Sequence, residues 1–211
     1  MTTATRTAQR AIQGTLAALL LAGGMLDGAA AASEETPLAV VRNTVDGVVA
    51  TLAAPDLSTA VRKRQVRKLI GERFDFVAMS NRVLATNWSK ANKEQRARFT
   101  SLFRELLSAT YWRKISAYTN EKVRYAGERR RSDKLATVET VIETDTADIP
   151  VDYKLYLRDG RWMAYDVVIE QVSLVRNYRG SFQDIVHQEG IDGLIARLEV
   201  KVAEASAEAA E

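Results

Sequence analysis

The 211-residue chain has no cysteine, which excludes a disulfide and a thiol nucleophile and leaves the fold indifferent to the redox state of its compartment. Its one histidine, His187, is too little for a His-rich metal site. Standing late in a helix just before Gly190, that imidazole suits the negative end of a helix dipole rather than catalysis. The glycines are scattered and match neither spacing of the nucleotide-binding loops. Neither sign of charge is in excess: 30 basic residues face 27 acidic ones, which gives little reason to invoke nucleic acid. The local clusters Arg62-Lys63-Arg64 and Arg129-Arg130-Arg131 read as a solvated helix face and a solvated loop.

What is present begins with an export signature. Arg6 and Arg10 precede an apolar run from Ile12 to Leu26, broken by Gly14, Gly23 and Gly24, and Ala30-Ala31-Ala32 follows as a small-residue cleavage site. The run is shorter than the roughly 20 residues of a spanning helix. Residues 1–32 therefore read as a secretory signal peptide, and because the two arginines are not adjacent, export of an unfolded chain fits better than the twin-arginine route. Residues 33–202 form one domain, long enough to bury a sizeable core, and 203–211 an Ala/Glu-rich flexible tail.

The domain opens with helical periodicity. Val41, Val45, Val48, Val49 and Leu52 mark a first helix ended by Pro55. A second starts near Ser58, with Val61, Val66, Leu69, Ile70 and Phe74 as its stripe and Gly71 as a weak point. A third follows Asp75 and carries Phe76, Met79, Val83 and Leu84. The longest starts at Asn92, where Asn92 and Gln95 make a loose capping box. Its band of Phe99, Leu102, Phe103, Leu106, Leu107, Thr110 and Tyr111 is too wide for a coiled-coil seam and calls for a broad surface.

The pattern then switches to period two. Strands are expected at about Lys122 to Ala126, Leu135 to Thr144, Val151 to Leu157 and Arg161 to Val172, with Asp159-Gly160 as a hairpin turn. Ala136, Val138, Thr140 and Ile142 share a face, as do Val151, Tyr153, Leu155 and Leu157, and as do Tyr165, Val167 and Ile169. The expected sheet is antiparallel and buried on one side. Two helices close the chain: one from Ser173 to Glu189, stopped by Gly190, and one from about Asp192 with Leu194, Ile195, Leu198 and Val202 inward.

Residues suited to catalysis are sparse. Asp166 and Glu170 are read as solvated or paired with Arg161, Arg176 or Arg179 on the polar strand face, because carboxylates without a pocket keep ordinary acidity. Periodicity by itself favours a filled core over a hollow one, since ligand cavities are few per protein.

A resemblance reverses that balance. The runs Tyr165-Asp166-Val167, Val172-Ser173-Leu174 and Asn177-Tyr178-Arg179 resemble the signature of the MlaC (toluene-tolerance) family of periplasmic phospholipid-binding proteins. Trp88, Glu94-Gln95-Arg96, Phe99, Phe103, Leu106, Thr110-Tyr111, Tyr118, Pro150, Tyr153, Gly160, Trp162, Phe182, Ile185, Gly190 and Leu194 extend it over Val41 to Leu198. Gln171 departs from it, standing where the family pattern has glycine.

The resemblance implies an α+β fold of the NTF2-like kind, with helices wrapped against a curved four-stranded antiparallel sheet. It implies a monomeric, non-enzymatic carrier that encloses the acyl chains of a phospholipid, its cargo, without any other cofactor or a metal. Such a carrier would shuttle lipid between an outer-membrane lipoprotein-porin complex and an inner-membrane ABC transporter with an MCE-domain subunit, maintaining outer-membrane asymmetry. The residues expected to touch acyl chains are Val138, Ile142, Tyr153, Leu155, Met163, Tyr165, Val167 and Ile169 on the sheet, with Phe99, Phe103, Leu106 and Thr110 on the long helix. Arg176 and Arg179 are candidates for a headgroup rim, although solvent salt bridges are the better reading of both, since surface ion pairs are common and need no ligand. Two other readings stay open: an NTF2-like periplasmic enzyme acting on a small apolar substrate with Asp166 or Tyr165 as acid or base, and a periplasmic adaptor with a filled core.

Overall fold

The computed structural model describes residues 35–117 and 122–208. The expected signal peptide, Tyr118 and the last three residues of the tail lie outside them.

Each helix start has a local cause. In α1 (Pro37–Ala53) the Thr36 hydroxyl accepts the Ala39 amide, and Pro37 presets the first helical φ. Ser58 caps α2 (Thr59–Arg73) and Asp75 caps α3 (Phe76–Leu84). The five-residue α4 (Thr86–Lys90) has no side-chain cap and was not expected from the sequence. The capping box of α5 (Lys93–Ser116) is complete despite its asparagine: Gln95 N–H donates to Asn92 Oδ1 at 2.8 Å and Asn92 N–H donates to Gln95 Oε1 at 3.0 Å. The last helix, α6 (Leu174–Glu208), is interrupted at Gly190, whose φ of 72° lies in the left-handed region that an L side chain avoids. It continues through the Ala/Glu-rich segment expected to fray, as far as Glu208.

The sheet is a meander in the order β1-β2-β3-β4-β5, with antiparallel neighbours throughout. Its strands are β1 (Lys122–Ser132), β2 (Leu135–Glu143), β3 (Asp148–Arg158), β4 (Arg161–Ile169) and β5 (Val172–Ser173). The four expected strands are present with one addition, because the stretch read as a single strand to Val172 turns at Glu170 and Gln171. Both residues have positive φ, 47° and 70°, as a two-residue hairpin turn requires. Asp159 and Gly160 turn the preceding hairpin in the same way, at 51° and 72°. Arg129-Arg130-Arg131 is part of β1 and not of a loop. Register shifts at Ala126, Arg131 and Tyr165 insert an extra residue each, and such bulges bend and twist a sheet.

Two centres of packing result. One is purely helical: Phe99 and Phe103 of α5, both fully buried, lie among Met79 and Leu84 of α3 and Phe182, Leu194 and Leu198 of α6. The Phe99 and Phe103 rings stack at 5.8 Å and meet Phe182 edge-on at 6.1 and 6.3 Å. The other centre lies on the sheet, where Val40 and Val41 of α1 cover Ala136, Val138, Leu155, Trp162 and Ala164.

Candidate functional site

The cross-strand register assigns the inner face of the sheet residue by residue. Val123, Ile142 and Ile149 are directly opposed across three strands, as are Tyr125, Thr140, Val151 and Ile169; Val138, Tyr153 and Val167 follow, then Ala136, Leu155 and Ala164. One end of this face is closed by α1. At the other end Val151 and Val167 are buried against Leu174, while Ile142, Ile149, Tyr153 and Ile169 stay only half-buried, beside Phe74 and Tyr111. A further apolar group lies between α1, α2 and the end of α5: Leu52, Val66 and Trp112, with half-buried Val48, Ile70 and Ile115. Phe74 packs against the helical centre, the closed end and the open end. A large apolar side chain that remains half open on an inward face lacks the full set of neighbours a filled core supplies.

Polar groups at this face are few and held. Thr140 is buried and donates to the Val151 carbonyl at 2.8 Å. Glu128, at the closed end, accepts the Leu38 amide at 2.9 Å and Arg130 at 2.7 Å. The Tyr125 hydroxyl donates to Asp46 at 2.6 Å, and burial together with that acceptor pushes its acidity far below that of a free phenol. Burial alone does the same more mildly for Tyr111. These hydroxyls are therefore neutral donors at any physiological pH. No group of acidic or histidine side chains suited to a metal ion occurs among the described residues.

The bulge at Tyr165 corrects one expectation. Lys154 opposes Asp166 but Leu155 opposes Ala164, so strict alternation fails between them. Val138, Ile142, Tyr153, Leu155, Val167 and Ile169 share the inner face, whereas Met163 and Tyr165 turn to the outer one. There Tyr165 meets Tyr156 edge-on at 5.9 Å, with the Arg82 guanidinium 4.2 Å from its ring. Asp166 is also on the outer side but is not solvated. It is 4 % exposed, and it accepts Lys154 Nζ at 3.1 Å, Ser173 Oγ at 2.7 Å and the Val175 amide at 3.1 Å. Its partner is thus a lysine of the neighbouring strand and none of the three arginines expected.

On the helix side, Phe99, Phe103 and Leu106 are brought together in the helical centre, not against the sheet. Thr110 is exposed and hydrogen-bonds the Tyr178 hydroxyl. The α5 residues nearest the sheet and α2 are Tyr111, the last residue of the expected band, and Trp112 and Ile115, which patterning did not single out. Their signal was present: the apolar band of α5 continues one turn past Thr110. Arg179 does not reach solvent ions; its Nε donates to the Arg82 carbonyl at 2.7 Å, near the end of α3. Arg176 is exposed, and its side chain has no ion-pair partner among the described residues.

Comparison with known proteins finds relatives over most of the chain. The family model described as MlaC protein matches residues 42–200. The intermembrane phospholipid transport system binding protein MlaC of Haemophilus influenzae is 23% identical over 180 residues, covering 80% of this chain and 83% of that protein. The toluene tolerance protein ttg2D of Pseudomonas putida is 24% identical over 129 residues, 60% of each chain. Among solved structures, the phospholipid-binding protein from Ralstonia solanacearum in complex with a phospholipid superposes with a TM-score of 0.75 at 26% identity. That match covers 80% of this chain and 98% of the other.

Proposed function

We propose, from the premise that this chain belongs to the MlaC protein family, that it is a periplasmic phospholipid carrier and not an enzyme. The acyl chains lie between the open end of the sheet's inner face and the helices α1, α2 and α5, in contact with Ile142, Tyr153, Val167 and Ile169 from below and Tyr111 and Ile115 from above. The observation that carries this reading is the set of half-buried apolar side chains on that inward face. The relatives support it, since one is described as a phospholipid transport binding protein and another was solved with a phospholipid.

The energetics suit such a role. Each methylene withdrawn from water is worth about 0.8 kcal/mol, so a tail of about 15 methylenes gains about 12. A soluble carrier must therefore enclose its tails, and spontaneous release is slow. Unloading needs a partner that opens the site or offers a continuous apolar path. The outer-membrane lipoprotein-porin complex and the inner-membrane ABC transporter with its MCE-domain subunit are the partners that this reading assigns, with outer-membrane asymmetry as the purpose. An enzyme would need an acid or base aimed into the enclosed space, and Asp166 and Tyr165 both face away from it.

Organic extraction and mass spectrometry of the purified protein test the proposal. A diacyl phospholipid at near-stoichiometric amount is expected; a small metabolite would point to an enzyme, and an empty protein to an adaptor.

A further inference from the structure

The helix α2 is one-sided in charge: its 15 residues carry six cations and a single carboxylate. Two of the cations serve the fold. Arg62 Nη2 donates to the Ala54 carbonyl at 2.8 Å, and Arg73 pairs with Glu35 at 3.1 Å. The other four, Lys63, Arg64, Arg67 and Lys68, fall on two adjoining rows of i, i+4 spacing. Arg64, Arg67 and Lys68 are exposed, while Lys63 lies over the Trp112 ring, 5.6 Å from its centre.

Little neutralises these four. Glu72 reaches Lys68 only at 3.9 Å, between two exposed side chains, and such a pair contributes almost nothing. Glu105 of α5 lines the same groove as Lys63 and Arg67 but forms an ion pair with neither, and it accepts the Ser101 hydroxyl at 3.0 Å. Elsewhere on the surface a cation often has its carboxylate, as Arg98 has Glu199, Arg129 has Glu139 and Arg197 has Glu189. Arg104 of α5, exposed and beside Gly71, extends the unmatched patch. Like charges at i, i+4 destabilise a helix, so the fold gains nothing from these rows.

We propose that α2 seats the protein on an anionic bilayer surface, with Lys63, Arg64, Arg67 and Lys68 toward the lipid phosphates and Arg104 at the edge of the contact. Two arguments favour a bilayer over an acidic protein. The four cations spread over about two helical turns and ring no single point, which suits a continuous layer of negative charge. The opposite side of α2 sets Val66 and Ile70 against Trp112 and Ile115, so docking brings the proposed tail site within a helix diameter, about 10 Å, of the lipid. The second argument rests on the carrier reading; the charge of the patch does not.

The experiment sediments the full chain with phosphatidylglycerol vesicles and, as the neutral reference, with phosphatidylcholine vesicles. Binding is expected to the first and not the second, and it should weaken as salt rises. A cation near an anionic surface is worth about fivefold in affinity, so the triple variant Arg64→Gln, Arg67→Gln, Lys68→Gln should lose at least about tenfold even with screening. The variant Lys122→Gln, Arg131→Gln, Lys134→Gln removes equal charge from exposed positions on and beside β1 and should bind as the parent does. Failure to sediment with phosphatidylglycerol overturns the proposal, as does undiminished binding by the α2 variant or an equal loss in the β1 variant. If the α2 triple variant does not fold, undiminished binding by both Arg64→Gln and Arg67→Gln decides against it. Co-extracted lipid, measured on the same samples, keeps the two readings apart: an empty protein that binds vesicles supports the surface without the carrier, and a loaded one that ignores them overturns the surface alone.

Discussion

The Ser173 hydroxyl donates to the Asp166 carboxylate at 2.7 Å and, in the same geometry, accepts the Arg176 amide at 3.1 Å. One serine thereby ties β4 to the first turn of α6. Asp166 adds a second tie through the Val175 amide and holds Lys154 across the sheet. Replacing Asp166 with alanine strands a mostly buried lysine and removes both ties, so stability should fall by about 3 kcal/mol. Ser173→Ala, which loses only a cap, should cost about 1 kcal/mol. Urea unfolding of the two variants measures the difference; equal losses would show that Asp166 does not anchor the junction.

Gln171 holds a φ of 70° where the family pattern has glycine. A left-handed L residue carries about 1–2 kcal/mol of strain, against which glycine sets about 0.5–1 kcal/mol of chain entropy. Gln171→Gly should therefore raise stability by about 0.5–1 kcal/mol, or the melting temperature by about 2–3 °C for a domain of this size. A lower melting temperature would mean that the turn is not strained in solution.

The inner face and the helical centre should respond differently to substitution. Ile169→Glu places a charge where acyl chains are proposed to lie and should leave the protein folded but without co-extracted phospholipid. Phe103→Ala opens a cavity in the helical cluster and should cost about 3–5 kcal/mol, yet the folded fraction should carry lipid at the wild-type ratio. Lipid phosphorus per mole of protein, with circular dichroism as the folding check, separates the two. Full occupancy in Ile169→Glu would remove that residue from the site.

A pH effect follows from the outer face. Asp152 stands directly across from Glu139, and partial burial, then that neighbouring carboxylate, raise its pKa above the usual 3.8. A carboxyl group with a raised folded-state value stabilises the fold most when protonated, and that contribution is lost as pH rises through the raised value. At neutral pH Asp152 therefore opposes folding. Asp152→Asn should be more stable there by about 0.5 kcal/mol, a figure kept small by solvent screening, and the advantage should vanish as pH falls below 3.8. Unfolding curves at pH 7 and pH 3.5 check the sign.

Helix existence was legible wherever period and cap coincided, as at Ser58, Asp75 and Asn92, and so was the Asp159-Gly160 turn. Those signals are local: a cap needs one side chain and an amide three residues on. The β4–β5 turn was hidden because neither Glu170 nor Gln171 is a turn former, and α4 because five residues carry no periodicity. The bulge at Tyr165 was equally invisible, since an inserted residue leaves the apolar alternation of Met163, Tyr165, Val167 and Ile169 intact on paper while reversing two of them in space.

The sequence by itself determined the class of fold, the antiparallel sheet with its apolar inner face and the lack of thiol and His-rich metal chemistry, because these depend on residue type and on periods of two and 3.6. Only the tertiary structure decided which apolar band meets which. The band of α5 was expected to cover the sheet, but Phe99 and Phe103 turn to α3 and α6, leaving Tyr111 for the sheet and Trp112 and Ile115 for α1 and α2. A hydrophobic stripe specifies that it will be buried and not against what, since apolar burial is non-directional; the choice of partner falls to shape, bulges and the ties that aim each helix.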